Sequence, residues 1–154
     1  MKIVICTVLW MLLTGPAFCQ DQQLDAARKK IEAGEFANAK ADLTKIIEAN
    51  PRNKVALNLR GQAKAGLNDF YGAIGDYNFA LETDSTYAEA LNNRGEAKMA
   101  LGDDEEALYD FDKAIKFNPK YSLAYSNRGL AKYNIEDLQG AYFDFSKALE
   151  LGPI

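Results

Sequence analysis

The stretch LNNRGEAK at residues 91–98 returns as YSNRGLAK at residues 125–132, 34 positions further along the chain. Three later features follow each stretch at the same offset. After the first stretch they are Asp110-Phe111, Lys113-Ala114 and Pro119, and after the second they are Asp144-Phe145, Lys147-Ala148 and Pro153. An earlier pair, Arg60-Gly61, precedes Arg94-Gly95 by the same interval. A constant period of this length indicates stacked units, each built from a few secondary-structure elements.

Each unit is predicted to contain two antiparallel helices joined by a tight turn. In the third unit, apolar and small residues recur at helical spacing on both sides of Gly102. The pair Asn118-Pro119 then ends the second helix, because proline has no N–H to donate and restricts the residue before it. Carried along the chain, this frame predicts units at residues 20–53, 54–87, 88–121 and 122–154. No segment alternates with period two, so no β-sheet is expected.

Three glycines of the repeat fall in the middle of predicted helices, where glycine costs about 1 kcal/mol relative to alanine. Their recurrence in register indicates a close approach between helices. The predicted partners are alanines twelve positions later, with an aromatic side chain beside each contact. In order along the chain, the sets are Gly61 with Ala73 and Tyr77, Gly95 with Ala107 and Phe111, and Gly129 with Ala141 and Phe145.

These features together resemble the tetratricopeptide repeat. The resemblance covers residues 20–154 and is strongest from residue 54, since Ala27 and Leu43 occupy the glycine and aromatic positions of the first unit. It implies an all-α, right-handed solenoid of about four helix-turn-helix units, whose first helices line a concave inner face. It also implies non-catalytic binding of a protein or peptide partner.

The N-terminal segment, residues 1–19, has the layout of a secretory signal peptide. Lys2 precedes an apolar run from Ile3 to Leu13, and Ala17 and Cys19 lie three and one positions before a predicted cut. The run is much shorter than the roughly 20 residues that span a bilayer. We therefore expect an exported protein, whether periplasmic, in the cell envelope or secreted. There are two alternatives. The segment could be retained as a membrane anchor, or the chain could be cut before Cys19 and carry lipid on the cysteine sulfur.

Composition argues against several classes of function. A formal net charge of −4 is unfavourable for nucleic-acid binding, which needs a basic face. The chain has no histidine, and both cysteines, Cys6 and Cys19, lie in the predicted signal peptide. The acidic run at residues 103–106 lacks the ligand spacing of a calcium loop and begins a predicted helix, where acidic residues favour the dipole. We expect no catalytic site, metal, cofactor or small-molecule substrate.

Charged residues also recur in register. One aspartate follows each repeat arginine at a constant offset, in the pairs Arg60 and Asp76, Arg94 and Asp110, and Arg128 and Asp144. A ladder of structural ion pairs between or within the units is the favoured interpretation, and contact with a ligand is the alternative.

The resemblance places a candidate partner-binding site on the inner face. Its residues are Asn58, Asn92, Asn93, Glu96, Met99, Ser126, Asn127 and Tyr133. Side-chain amides can bond to an extended peptide backbone, and Met99 and Tyr133 offer adaptable apolar contact. The alternative is that the asparagines are simply solvated. One subfamily grips a C-terminal carboxylate with inward lysines, but those positions hold Asn58, Asn92 or Ser126, so that clamp is not expected.

The C-terminal unit is unusually apolar for the end of such an array. Tyr142 and Leu149 lie on its last helix, and the sequence stops at Ile154 without the polar capping helix that repeat arrays commonly carry. An exposed apolar patch usually marks an interface. The sequence therefore predicts an adaptor or assembly factor that binds a partner in its groove. The alternative is a structural subunit or homo-oligomer that assembles through this end.

Overall fold

The computed structural model describes residues 20–152, which form eight helices and no β-strand. They are α1 (20–32), α2 (Phe36–Ala49), α3 (Lys54–Gly66), α4 (Phe70–Thr83), α5 (Ala88–Ala100), α6 (Asp104–Phe117), α7 (Ser122–Asn134) and α8 (Leu138–Leu151). The predicted all-α architecture of about four helix pairs is confirmed. The predicted signal peptide, residues 1–19, lies outside the described residues.

The turn inside each helix pair uses one residue with left-handed backbone geometry. Gly34, Asn68, Gly102 and Glu136 have φ angles of 76°, 63°, 88° and 65°, and they occupy the same position in the four units. Glycine adopts this geometry without steric cost and asparagine tolerates it, whereas glutamate does not favour it. Backbone geometry therefore follows the repeat even where the residue type departs from it.

The helices stack so that the first helix of each pair lies on one side of the array. Neighbouring first helices contact each other directly, α3 with α5 and α5 with α7. Neighbouring second helices do not, since no Cα atoms of α4 and α6, or of α6 and α8, lie within 8 Å. The array is thus more closely packed on the side of the first helices, which places the inner face there.

The glycines make the close approach that the sequence predicts, but chiefly to a different partner. The ring of the aromatic residue 16 positions later lies over each glycine, as Tyr77 does over Gly61 and Phe145 does over Gly129. A Cβ at Gly129 would lie 2.9 Å from the Phe145 ring but 3.3 Å from the carbonyl oxygen of Ala141. The alanine contact expected from the sequence is therefore secondary, because the flat ring fills the space that a glycine leaves.

The predicted arginine–aspartate pairs are confirmed in all three units. Each arginine donates from Nε and Nη2 to the two carboxylate oxygens of its aspartate. The Nε–Oδ2 distances are 2.8 Å for Arg60–Asp76, 2.9 Å for Arg94–Asp110 and 2.8 Å for Arg128–Asp144. A lysine on the same helix adds a second cation to each aspartate, at 2.9, 2.8 and 2.8 Å from Lys64, Lys98 and Lys132. Because the aspartates are buried, these bonds satisfy carboxylates that water cannot reach.

The third nitrogen of each arginine points to the preceding unit. Its Nη1 donates to a second-helix residue 16 positions earlier, at 3.5 Å to Thr44 from Arg60, 2.7 Å to Asn78 from Arg94 and 2.6 Å to Asp112 from Arg128. One arginine thus joins the second helices of two successive units. These contacts support the structural interpretation of the arginine series, in which its role is to hold the stack together.

The first unit departs from this arrangement. Ala26 occupies the position that holds arginine in the other units. The equivalent aspartate, Asp42, meets lysines only, with Nζ of Lys30 at 2.6 Å and Nζ of Lys45 at 3.5 Å, and it is partly exposed instead of buried. A cavity of about 750 Å³ opens beside Ala26 and Asp42. The first unit therefore lacks the group that, in later units, reaches back to a preceding helix.

Candidate functional site

The inner face is built from the first helices α3, α5 and α7. All eight sequence-predicted site residues lie on these helices, and the structure divides them into three groups by burial. Asn58, Asn92 and Asn93 are buried. Ser126, Asn127, Glu96 and Met99 are half-buried, and Tyr133 is 60% exposed.

Asparagine side chains join neighbouring first helices to each other. Asn93 Nδ2 donates to Asn58 Oδ1 at 3.0 Å, and Asn127 Nδ2 donates to Asn92 Oδ1 at 3.0 Å. Both bonds connect residues 35 positions apart, one more than the repeat period. These amides form rungs between helices. The Nδ2 atoms of Asn93 and Asn127 and the Oδ1 atoms of Asn58 and Asn92 are thus used within the chain and are not free to bind a peptide backbone.

A carboxylate lies at the centre of this network. Asn127 Nδ2 also donates to Glu96 Oε1 at 2.7 Å. Burial raises the pKa of the Glu96 carboxyl above its ordinary value, while the amides of Asn127 and Asn92 act in the opposite direction. Asn92 Nδ2 is buried and completes no hydrogen bond of ordinary geometry within residues 20–152. The middle of the inner face therefore holds polar groups that are poorly solvated.

Two tyrosines that the sequence analysis did not place at the site lie close to the polar network. Tyr87 accepts a 3.4 Å hydrogen bond from Asn58 Nδ2 and donates one of 2.9 Å to Glu89 Oε2. Burial, together with the charges of Glu89 and Glu96, raises the pKa of Tyr121 to about 12. The sequence could have indicated both residues, since Tyr87 and Tyr121 occupy equivalent repeat positions and each directly precedes a first helix.

The accessible part of the inner face is apolar and lies toward the C-terminal end. Tyr133 and Leu130 are exposed on α7, and half-buried Met99 lies on the preceding first helix α5. Half-buried Ser126 lies one helical turn before Leu130 on α7. These side chains, together with the acceptor oxygens of Glu96 and Glu89, are what the inner face presents to a partner.

The acidic run at residues 103–106 has a local role. Asp104, Glu105 and Glu106 form the first turn of α6, where they favour the helix dipole. Asp104 also accepts a 2.8 Å hydrogen bond from Asn134 on α7. Among residues 20–152, no group of three or more Asp, Glu, Cys or His side chains could hold a metal ion.

The two predicted end residues lie on α8 and are both exposed. Tyr142 is exposed, and Leu149 is 82% exposed. Phe143 and Leu138 on the same helix are exposed as well. Within the described part of the chain, nothing covers this surface. None of the described helices is long and apolar enough to cross a lipid bilayer.

Comparison with known proteins identifies the repeat. Residues 88–121 match the tetratricopeptide repeat family. No curated protein sequence matches the chain. A crystal structure of MamA aligns with a TM-score of 0.75 at 23% identity, over 91% of this chain and 82% of that one.

Two further solved structures are similar. PilF of Pseudomonas aeruginosa aligns with a TM-score of 0.83 at 25% identity, over 90% of this chain and 63% of that one. The first repeat domain of Spaghetti (RPAP3), bound to the HSP90 peptide SRMEEVD, aligns with a TM-score of 0.71 at 26% identity. That alignment covers 76% of this chain and 93% of the Spaghetti domain. The chain therefore contains a tetratricopeptide repeat at residues 88–121, and its described part has the fold of these repeat structures.

Proposed function

We propose that this protein is an exported, non-catalytic adaptor or assembly factor that binds a segment of a partner protein along its inner face. One observation carries the proposal. Leu130 and Tyr133 are exposed on the inner helix α7 and are left uncovered by the rest of the described chain. Exposed apolar side chains grouped in this way usually mark an interface.

The chemistry of the inner face indicates the kind of partner. Glu89 and Glu96 form no ion pair with any described residue, although Lys54 Nζ lies 5.1 Å from the centroid of the Tyr87 ring, whose hydroxyl donates to Glu89. Two carboxylates without a paired cation disfavour nucleic acid and acidic peptides at this part of the inner face. A protein or peptide segment with apolar residues and a positive charge fits it better than a small-molecule substrate does.

The experiment is affinity capture with the processed protein as bait, comparing two double variants. Leu130→Ala with Tyr133→Ala removes the apolar part of the inner face. Tyr71→Ala with Phe79→Ala is the matched control, since both rings are exposed on the second helix α4. We expect a partner that the control retains and the inner-face variant loses. Recovery of the same proteins by both variants contradicts the proposal.

Export is proposed from residues 1–19 alone. Cleavage after Cys19 predicts a mature protein that begins at Gln20 and carries no cysteine. Mass spectrometry of the natural protein distinguishes this from a chain that begins at Cys19 with lipid on its sulfur. An intact N-terminus in the mature protein would contradict both routes.

A second candidate function is a structural subunit of an envelope complex or a homo-oligomer, assembled through the C-terminal end. Exposure of Tyr142 and Leu149 favours it. Light scattering tests the homo-oligomer version, because a monomer at high concentration excludes it. Loss of a captured complex on changing α8, but not on changing Leu130 and Tyr133, would favour the structural subunit.

A further inference from the structure

The last helix pair carries a helix-sized slot on its outer end. A cavity of about 730 Å³ lies between the start of α7 and the end of α8. Its lining includes Tyr121, Leu123, Phe145, Ala148 and Leu149, and at its edge Glu89 of α5 and Ser126, which also belong to the inner face. This slot, which we call the terminal slot, is distinct from the apolar residues Leu130 and Tyr133 of the inner face.

The equivalent surface of the third helix pair, α5 and α6, is covered by the first helix of the next pair, α7. Phe111 on α6 is 0% exposed, whereas Phe145, its equivalent on α8, is 37% exposed. Ala114 is fully buried against Ala124 of the following first helix α7. Its equivalent on α8, Ala148, is only half-buried. The terminal slot thus repeats an interface that a first helix fills at the earlier position.

The helices that fill the earlier positions share a pattern. Each first helix buries two alanines seven positions apart, in the pairs Ala56 and Ala63, Ala90 and Ala97, and Ala124 and Ala131. An arginine between them reaches the preceding second helix at Thr44, Asn78 or Asp112. On α8 the equivalent acceptor is Ser146, whose exposed hydroxyl donates to the Tyr142 carbonyl at 2.8 Å and keeps its oxygen lone pairs available.

The first helix of a second copy does not fit this pattern. In α1 the two alanine positions hold Gln22 and Lys29, both exposed, and the arginine position holds Ala26. In a head-to-tail stack, the side chains of Gln22 and Lys29 would therefore occupy the positions that alanine methyl groups occupy in α5 and α7. Head-to-tail stacking of identical chains would therefore bury an unpaired charge against Phe145, which is costly.

We infer that the terminal slot binds an amphipathic α-helix of a different protein, seated as a fifth first helix. The occupant has small residues seven positions apart and a basic residue between them that donates to Ser146. It lays its apolar face against Phe145, Ala148 and Leu149, in the helix-in-groove mode of recognition. The inference concerns the end of the stack and does not depend on a partner binding at Leu130 and Tyr133.

The test uses two helical peptides that differ in the pattern. One has the sequence of residues 88–102, from α5, and the other that of residues 20–34, from α1, each held helical by a side-chain bridge because helices this short are marginal in water. Binding to the naturally processed protein is followed by NMR shifts. We expect the α5 peptide to shift the resonances of Phe145, Ala148 and Leu149, and the α1 peptide to leave them unchanged.

Two variants of exposed leucines make the test specific. Leu149→Glu places a charge in the slot and is expected to weaken the α5 peptide on the order of tenfold, about 1.4 kcal/mol. Leu138→Glu, at the other end of α8, is expected to leave binding unchanged. Equal binding of both peptides, or no effect of Leu149→Glu, would overturn the inference. A dimer in light scattering that Leu149→Glu dissociates would overturn it too, by assigning the slot to a second copy.

Discussion

A methyl group added to Gly95 would lie 2.6 Å from Cε1 of Phe111. The ring is fully buried and packs in one cluster with Ala107 and Ala131, which leaves it little room to move. Gly95→Ala is therefore expected to destabilise the protein by about 1–3 kcal/mol through overpacking, despite the better helix propensity of alanine. Thermal unfolding followed by circular dichroism measures the change.

Gly75 supplies the matched control, since it lies inside α4 and a Cβ there meets nothing within 4 Å. Gly75→Ala should raise stability by up to about 1 kcal/mol. If both variants changed stability in the same direction, the close approach of Gly95 to Phe111 would not be what retains the glycine.

Arg94 supplies two of the hydrogen bonds to the buried carboxylate of Asp110. Arg94→Ala leaves that carboxylate with Lys98 alone, so we expect a loss of about 3 kcal/mol, the lower end for breaking a buried ion pair. At roughly 2–4 °C per kcal/mol, the shift in Tm is easily measured. Partner affinity should be nearly unchanged.

The control for this variant is Asp112→Asn, which weakens an ion pair whose aspartate is 62% exposed. A loss below about 1 kcal/mol is expected there. If the two variants lost similar amounts of stability, burial of the aspartate would not determine how much each arginine–aspartate pair contributes.

Asn127 donates to both Asn92 Oδ1 and Glu96 Oε1. Asn127→Ala removes both bonds and should cost about 1–3 kcal/mol, because poorly solvated acceptors lose their donor. Asn134→Ala, which removes an exposed bond to Asp104, should cost much less. Urea unfolding compares them. Equal costs would show that the rungs between first helices add no stability.

Asn93 and Asn127 are unsuitable positions for a test of groove binding. Replacing Asn93 and Asn127 together would separate a groove binder from a structural subunit only if both amides were free. Both are bonded to the neighbouring first helix, so their loss disturbs the stack in either case. Leu130 and Tyr133 are the better pair, since both are exposed.

The raised pKa of Glu96 predicts a dependence of stability on pH. A carboxyl whose pKa is higher in the folded state destabilises that state when ionised, and the penalty disappears as pH falls toward the unfolded value of about 4.3. Glu96→Gln keeps an acceptor for Asn127 but cannot ionise. We expect it to raise Tm at pH 7 and to match the native protein near pH 4. A constant difference across this range would contradict the assignment.

Much of the architecture follows from local sequence. The helix boundaries recur because each unit repeats its own stop signals, and α3, α5 and α7 begin at Lys54, Ala88 and Ser122, the same point of each repeat. The arginine–aspartate pairs were predictable for the same reason. Both partners lie within one helix-turn-helix unit, whose geometry is set by a short turn, so a constant offset along the chain implies a constant contact.

The hydrogen bonds between neighbouring first helices could not be predicted in this way. The asparagine rungs join Asn58 to Asn93 and Asn92 to Asn127, one position out of step with the repeat, so a comparison of equivalent positions does not pair them. Which face of a first helix meets its neighbour depends on how each unit is rotated and shifted on the one before. That rotation is the result of packing many side chains at once.

The sequence by itself thus determined the period, the helix pairs and the bonds inside each pair, because these depend on residues close along the chain. Only the tertiary structure decided which polar side chains are consumed by the stack and which remain accessible. It buries Asn58 and Asn92 between helices and leaves Tyr133 and Leu149 exposed, since the rotation between units directs one set inward and the last unit has no described neighbour to cover the other.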